Sequence, residues 1–224
     1  MSIDFYIISL KKDVERRKEI TCQLNKLNIK SNIIDAVNGK ELSAINYFNN
    51  MKCCNSKFRG RRFLTPSELG CYLSHKKALS EFIKTDKDIL VVLEDDVSLV
   101  NKNIFYDIKL AEEFILNNNS VFVLGGQDGL KSFKRVILKK DINTNFFKKV
   151  SRLSTRFIYR TCSYMINRTV ALEILNLMDK YSFFIDDWNL IVNKTDAKNI
   201  YYAYWFSHPV DISNSTIEIE RRLI

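Results

Sequence analysis

The stretch Ile89-Leu90-Val91-Val92-Leu93-Glu94-Asp95-Asp96 joins five consecutive apolar residues directly to three acids. A continuous run rich in β-branched residues is typical of a central strand that is buried on both faces, as parallel strands usually are. The stretch therefore predicts a buried strand of an α/β domain, and this strand ends at a cluster of carboxylates.

The three acids suggest a cation site at the end of this strand. Side chains alternate across a strand, so Glu94 and Asp96 share one face and Asp95 the other. Crowded carboxylates resist ionisation, and a divalent cation such as Mg²⁺ or Mn²⁺, which prefers oxygen ligands, relieves that cost. Ligands of α/β proteins also bind beyond the carboxyl ends of strands. The alternative is a surface turn with solvated acids, or acids at a helix N-terminus.

A helix start precedes the strand. In Thr65-Pro66-Ser67-Glu68, a capping Thr is followed by Pro at the first helical position and by Glu three residues after the cap, which is a capping box. His75 lies on the same helix, with Cys71 between it and Glu68. Glu68 and His75 are about 10 Å apart along the axis, too far for one shared metal. A lone helical His is more often structural than functional, so both roles remain open for His75.

Strand and helix signals alternate along the rest of the chain. Apolar runs predict further strands at residues 3–10, 32–37, 121–124, 157–166 and 200–206. Apolar residues at helical spacing predict helices around 20–27, 104–115 and 171–178. After the last strand we expect a polar tail. This alternation predicts a single α/β domain with a mostly parallel central sheet flanked by helices.

Asp186-Asp187 is a second acidic cluster, placed between Phe183-Phe184-Ile185 and Trp188. One acid could be the general base that removes a proton from a hydroxyl. One could instead be the N-cap of a following helix. The sequence supports the cap and the base about equally, and one residue could take each role. Of the two acids, we favour Asp187 as the base.

The chain is basic, with 35 Lys and Arg against 26 Asp and Glu, for a net charge of +9 over 224 residues. A positive field attracts phosphates, nucleic acids or an anionic membrane, although Lys- and Asn-rich composition also arises from genomic bias. The basic residues concentrate near 49–62 and 127–156, which we predict to be loops. These stretches lack the regular aromatic residues of a single-stranded nucleic-acid platform, so we expect no nucleic-acid partner. They are solvated, or they contact a phosphate-bearing glycolipid or anionic headgroups.

The cysteines and the apolar runs indicate where in the cell the protein is located. The five cysteines form no C-x-x-C pair, which argues against a disulfide framework and against a zinc knuckle. The first residues contain an acid and no basic region, unlike a signal peptide. No apolar run approaches the roughly 20 residues of a membrane span. We therefore expect a cytoplasmic protein.

The order of these segments resembles glycosyltransferase family 25, the bacterial lipooligosaccharide galactosyltransferase family, whose relatives include collagen galactosyltransferases. The block from Thr65 to Val97 is the specific part of the resemblance. The matching segments are Tyr6-Ile7-Ile8-Ser9-Leu10, Glu15-Arg16-Arg17, Asp35-Ala36-Val37-Asn38-Gly39, residues 64–75, Leu93-Glu94-Asp95-Asp96-Val97, Ser163-Tyr164-Met165-Ile166 and Asp186-Asp187.

The resemblance implies a GT-A-like fold and a catalytic domain that covers residues 1–224. Glu94-Asp95-Asp96 would be the DxD-like motif, with Asp96 the leading metal ligand, assisted by Glu94. Glu94 or Asp95 would also contact the donor, and His75 and Arg16 would line the donor pocket. The motif departs from the family pattern at its first position, where Glu94 replaces Asp.

The resemblance also implies an inverting, metal-dependent hexosyltransferase of the β-galactosyltransferase type. It would use Mn²⁺ or Mg²⁺ and a UDP-sugar, foremost UDP-galactose, and its acceptor would be a lipooligosaccharide or lipopolysaccharide. Such an acceptor would bring the protein to the inner membrane as a peripheral protein. UDP-glucose as donor is the alternative within the same pathway. A phosphohydrolase of the haloacid dehalogenase type is a second alternative, but it needs Asp where this chain has Glu94. A non-catalytic phosphate- or membrane-binding protein would explain the charge but not the three acids.

Overall fold

The computed structural model describes residues 3–51, 63–141, 144–211 and 215–223. Its nine strands belong to one sheet. The strands are β1 (Ile3–Ser9), β2 (Asn32–Asp35), β3 (Ile89–Glu94), β4 (Ser98–Leu99), β5 (Ser120–Gly125), β6 (Leu138–Asp141), β7 (Thr144–Val150), β8 (Ser163–Asn167) and β9 (Asn199–Ser207). The helices are α1 (Val14–Asn25), α2 (Ala44–Asn50), α3 (Pro66–Ile83), α4 (Ile104–Leu110), α5 (Glu112–Asn117), α6 (Arg168–Lys180), α7 (Trp188–Lys194) and α8 (Thr216–Arg221).

The strand order is β2-β1-β3-β8-β5-β9-β7-β6, and the short β4 pairs with β9. β1 runs parallel to β2 and β3, and β5 runs parallel to β9. β8 lies between β3 and β5 and is antiparallel to both. The α/β class and the central sheet flanked by helices are confirmed, but the sheet is mixed, not mostly parallel. A continuous apolar run indicates that a strand is buried on both faces, but it does not indicate whether the strand is parallel or antiparallel to its neighbours.

β3 is central to both cores of the molecule. Its side chains alternate between two apolar clusters: Leu90 and Val92 face one, and Val91 and Leu93 face the other. Helices α3 and α6 contribute to the first cluster, and α1, α4 and α5 contribute to the second. All five apolar residues of β3 are fully buried, as the continuous apolar run predicts.

The predicted capping box opens α3. The Thr65 hydroxyl accepts the Glu68 N–H at 3.2 Å, and Glu68 Oε2 accepts the Thr65 N–H at 2.8 Å. Helix α8 adds a further cap, because Glu220 accepts hydrogen bonds from the Ser67 N–H and hydroxyl at 2.9 and 2.7 Å. The residues expected to form a polar tail therefore include a helix that packs on the first turn of α3.

Several predicted elements differ from the observed ones. Residues 127–156 are not an irregular loop, because they contain the β6–β7 hairpin between two 3₁₀ turns, Lys131–Arg135 and Arg152–Phe157. The hairpin was missed because, of its side chains that the structure describes, only Phe147 and Val150 are fully buried. The predicted helix over 104–115 is two short helices, and the strand predicted from residue 157 begins only at Ser163. The predicted loop at 49–62 begins inside α2, and its residues 52–62 lie outside the described residues.

We find no helix in the described ranges that is both long enough and apolar enough to cross a bilayer.

Candidate functional site

The three acids lie where β3 ends. Glu94 is the last residue of the strand, and Asp95 and Asp96 form the turn that leads to β4. β4 pairs with the last residues of β9, Ser98 with Ser207 and Leu99 with Phe206. This pairing brings the residues that come after β9 to the acids.

Asp96 lies next to His208, which directly follows β9. Asp96 Oδ2 is 3.3 Å from His208 Nε2, and the other ring nitrogen, Nδ1, is 2.8 Å from the Pro209 carbonyl oxygen. A carbonyl only accepts, so Nδ1 carries a proton. Burial alone would lower the pKa of His208, but the bond to Asp96 outweighs it and raises that pKa. Burial would likewise raise the pKa of Asp96, and His208 instead holds it below its ordinary value.

The second oxygen of Asp96 is the unusual atom of this cluster. Asp96 Oδ1 is buried, and no group in the described part of the chain hydrogen-bonds to it. A buried carboxylate oxygen without a partner carries a desolvation cost, which a bound cation would remove. An oxygen ligand with an imidazole nitrogen beside it is a donor set that Mn²⁺ accepts.

Asp95 faces Arg16 on α1. Arg16 Nη1 is 4.0 Å from Asp95 Oδ1, and the Arg16 side chain is 58% exposed. Burial raises the pKa of Asp95 to about 6, although a hydrogen bond from Ser9 and the charge of Arg16 oppose the rise. Asp96 also adds to it as a like charge. Asp95 is therefore a carboxylate whose charged form is disfavoured by burial, and it lies beside an exposed cation at the rim of the site.

Glu94 is held by residues from two other elements. Glu94 Oε1 lies 3.2 Å from His75 Nε2 and accepts the Thr161 hydroxyl at 3.0 Å. His75 Nδ1 lies 3.1 Å from the Tyr164 hydroxyl. The resemblance implies that His75 lines the donor pocket; in the structure its side chain is completely buried and contacts Glu94. It acts on the site by orienting Glu94.

Asp186 and Asp187 have separate environments. Asp187 caps α7, since its Oδ1 accepts the Leu190 N–H at 2.9 Å. Burial raises the pKa of Asp186, and this rise is opposed by the positive charge of Arg221 and by the Arg160 backbone N–H. The negative charges of Asp186 and Glu94 both act on Cys71 of α3, which links Asp186 to the cluster at β3. The cap therefore belongs to Asp187, and Asp186 is the acid of the pair whose charge acts on Cys71.

The geometry is accompanied by a family match. The sequence model of glycosyltransferase family 25, described as an LPS biosynthesis protein family, matches residues 2–189. The chain belongs to glycosyltransferase family 25. This membership sets aside the haloacid dehalogenase alternative, in agreement with a Glu at the first acidic position. The matched region includes the acids and α3 but ends before β9, so His208 lies beyond it.

Two curated relatives match parts of this family 25 chain. Procollagen galactosyltransferase 1-B of Xenopus laevis is 33% identical over 102 residues, which are 43% of this chain and 16% of the relative. "Probable inactive glycosyltransferase 25 family member 3" of Rattus norvegicus is 31% identical over 98 residues, 42% of this chain and 17% of the relative. The chain thus matches about a sixth of the length of these relatives. Because the names include both a transferase and an inactive member, family membership alone does not establish activity.

Among solved structures, S. aureus TarS 1-349 is similar at a TM-score of 0.49 and 15% identity, covering 93% of this chain and 60% of that one. This likeness is weak, and the fold assignment of the family 25 chain rests on its own sheet.

Most of the predicted site residues meet at one edge of the sheet. His75, Arg16 and the three acids lie together, while Asp186, two residues before α7, is linked to them through its charge on Cys71 of α3. Sequence reasoning missed His208 and Thr161, and it treated Tyr164 only as part of a weak motif. His208 carries the signal that identified the acids, a polar residue directly after an apolar strand. Thr161 gives no such signal, because its contact with Glu94 depends on the turn before β8.

Proposed function

We propose that this family 25 chain is a metal-dependent hexosyltransferase that moves galactose from UDP-galactose to a lipopolysaccharide or lipooligosaccharide acceptor. The observation that carries the proposal is the buried Asp96 Oδ1, which has no hydrogen-bond partner among the described residues and lies beside His208 at the carboxyl end of β3. The description of the family as one of LPS biosynthesis supports the acceptor class. The name of the Xenopus relative supports galactose as the sugar.

Asp96 and His208 would hold the cation, with Glu94 in support. Once bound, a divalent cation neutralises charge on a departing diphosphate and so acts as a Lewis acid. His208 must give up its Nε2 proton to act as a ligand, and the deprotonated ring then presents a lone pair beside Asp96. Thr161 and His75 both engage Glu94 Oε1, and these two contacts fix the carboxylate.

Arg16 and Asp95 would form the donor side of the site. The Arg16 guanidinium is exposed and can donate hydrogen bonds to phosphate oxygens in a bidentate manner. Asp95 keeps Arg16 close while its own carboxylate would accept a hydroxyl of the ribose or the sugar. Positioning by such contacts supplies a large part of the rate in transfer reactions.

Asp186 would be the general base. An acid with a raised pKa is a better proton acceptor near neutral pH than an ordinary carboxylate. It would take the proton of the acceptor hydroxyl as that oxygen attacks the anomeric carbon, and the configuration at that carbon would invert. Asp187 stays outside this step because its oxygen holds the first turn of α7.

The glycolipid acceptor would bring the protein to the inner membrane face as a peripheral protein. Helix α2 exposes Ile45 and Phe48, at 72% and 70% of their surface, and the basic sequence near 52–62 follows it. Apolar side chains next to basic residues favour adsorption to anionic lipid. Binding to phosphatidylglycerol vesicles should weaken in Ile45→Ser/Phe48→Ser and should not change in Leu172→Ser, which alters an exposed apolar residue of α6. Equal binding by all three proteins would refute this surface.

The decisive experiment is a donor screen. The protein is incubated with UDP-galactose or UDP-glucose and Mn²⁺, and release of UDP is followed with and without EDTA and acceptor. We expect turnover with UDP-galactose that EDTA abolishes. Turnover with UDP-glucose alone would assign the other hexose, and turnover that EDTA leaves intact would refute the cation site. The anomeric configuration of the product, read by NMR, tests inversion.

A further inference from the structure

A second group of ligand atoms lies beside the proposed transferase site. Cys71 and His75 are four residues apart on α3, so they share one face of that helix. Glu94 at the end of β3 faces them. A ligand atom from each residue, the Cys71 sulfur among them, lies within 4.8 Å of the other two.

We propose that Cys71, His75 and Glu94 form a binding site for a thiophilic divalent cation, of which Zn²⁺ is the natural occupant. Sulfur and imidazole nitrogen together select Zn²⁺ over the hard cations that prefer oxygen ligands. The proposed transferase site offers carboxylate oxygens and the His208 imidazole nitrogen, and its proposed ligands include no sulfur. The two sites therefore differ in ligand chemistry although they are neighbours.

The geometry is close to what tetrahedral zinc requires. With Zn–N and Zn–S bonds of about 2.0 and 2.3 Å, ligand atoms in a tetrahedron lie roughly 3.3–3.8 Å apart. His75 Nε2 and Glu94 Oε1 are already 3.2 Å apart. Because the three ligand atoms lie within 4.8 Å of one another, bringing the thiol to such a distance requires a shift of at most about 1.5 Å, within reach of a side-chain rotation.

Outer residues and an access route complete the site. Tyr164 lies at the second ring nitrogen of His75, and Thr161 donates to Glu94 Oε1. Partners of this kind orient metal ligands and fix the His tautomer. The Glu94 side chain is 28% exposed, which leaves an entrance for the ion and a position for a fourth ligand such as water.

The ligand types determine the proton balance. Zinc binds the thiolate, so the Cys71 proton leaves to solvent. Burial raises the pKa of this thiol well above its ordinary value, with Glu94 adding to the rise, so the metal-free thiol is protonated. His75 binds through the Nε2 lone pair, its ring proton then sits on Nδ1, and the Tyr164 oxygen accepts it.

The test uses Co²⁺ alone as the probe, without nucleotide sugar. Cobalt bound to a thiolate gives a sulfur-to-metal charge-transfer absorption in the near ultraviolet, which oxygen ligands do not give. We expect the metal-free protein to develop this band with one equivalent of Co²⁺, and Zn²⁺ to bleach it. Cys71→Ser should lose the band, with circular dichroism verifying its fold, and His75→Gln should weaken Co²⁺ binding at least tenfold.

Control variants separate Cys71 from three of the four other thiols. Cys22→Ser removes an exposed thiol on α1, and Cys53→Ser/Cys54→Ser removes two adjacent thiols outside the described residues. Both should keep the full band. A wild-type protein without the band, or a band that persists in Cys71→Ser, would overturn the proposal.

One consequence rests on the proposed function, because Glu94 belongs to both sites. Zn²⁺ should inhibit Mn²⁺-dependent transfer by the wild type and should inhibit Cys71→Ser much less, each relative to its own rate without zinc. If the chain transfers no sugar, this assay is silent while the cobalt band still reports the site. The two proposals can therefore fail separately.

Discussion

The acids after β3 and the acids before α7 look alike in sequence and differ in the structure. Glu94-Asp95-Asp96 and Asp186-Asp187 both come directly after apolar residues. Asp187 accepts a hydrogen bond from a backbone N–H of α7 at 2.9 Å and so caps this helix. Asp96 keeps one buried oxygen without a partner in the described residues, and burial raises the pKa of Asp95 to about 6.

The difference arises from the segment on the C-terminal side of each cluster. A helix begins directly after Asp187, and its first turn supplies free N–H groups. Asp96 lies in a turn and the two-residue strand β4 follows it, so no helix begins there to satisfy its carboxylate. Acids that the backbone does not satisfy are the stronger functional candidates, because only a ligand removes their cost.

The largest effect that we expect is at Asp96. Asp96→Asn removes the charge with little change in shape, and should lower transfer roughly 10³-fold, about 4 kcal/mol of barrier. The measurement is the initial rate at saturating UDP-galactose and Mn²⁺. Asp179→Asn, which alters a surface acid paired with Lys76, is the matched control and should keep the wild-type rate. Wild-type activity in Asp96→Asn would remove the distinction between the two clusters.

The second effect concerns Asp186. Asp186→Asn should lower the turnover number at least about 10²-fold, since loss of a general base costs 10²–10⁴ in rate. The KM for UDP-galactose should stay near the wild-type value, because Asp186 acts on the acceptor. Asp187→Asn serves as the control from the same cluster and should turn over normally. If the two variants exchange these results, the base and cap assignments are reversed.

Local patterns in the sequence predicted much of this architecture. The capping box at Thr65 and the apolar run of β3 each depend on a few neighbouring residues, and both were confirmed. The direction of β8 and the contact of Asp96 with His208 depend on chain segments far apart in sequence. A pattern of neighbouring residues therefore predicts neither the direction of β8 nor this contact. Helix α8 was also missed, although Ser215 and Glu218 have the spacing of a capping box.

The third prediction concerns stability at Asp95. The pKa of this carboxyl in the folded state, about 6, exceeds the ordinary value of 3.8. The unfolded chain therefore loses this proton first, so the folded state loses stability as pH rises from about 4 to about 6, and the loss stays constant at higher pH. Asp95→Asn should stabilise the metal-free protein at about pH 7 by on the order of 1–3 kcal/mol, a rise in Tm of several degrees.

The pH dependence of this stabilisation tests whether it arises from the raised pKa of Asp95. The advantage of Asp95→Asn should shrink towards about pH 4, where the folded carboxyl is protonated and the unfolded one is close to half protonated. Thermal unfolding in EDTA at both pH values measures it. A Tm that falls by the same amount at both pH values would mean that Asp95 serves the fold, mainly through its bond with Ser9.

The smallest effect should be at Asp187, where the free energy of unfolding tests whether this acid serves as a helix cap. A cap needs only a side-chain oxygen, which Asn also offers, so Asp187→Asn should change the free energy of unfolding by a few tenths of a kcal/mol at most. Asp187→Ala removes the oxygen that accepts the Leu190 N–H, and should cost about 1 kcal/mol, or 2–4 °C in Tm. Both variants should keep the turnover number of the wild type while folded, because the cost falls on α7 and not on the reaction. A large loss of turnover in Asp187→Asn with an unchanged Tm would show that this acid, and not only its neighbour, takes part in the chemistry. The two acidic clusters would then differ less than their hydrogen bonds indicate.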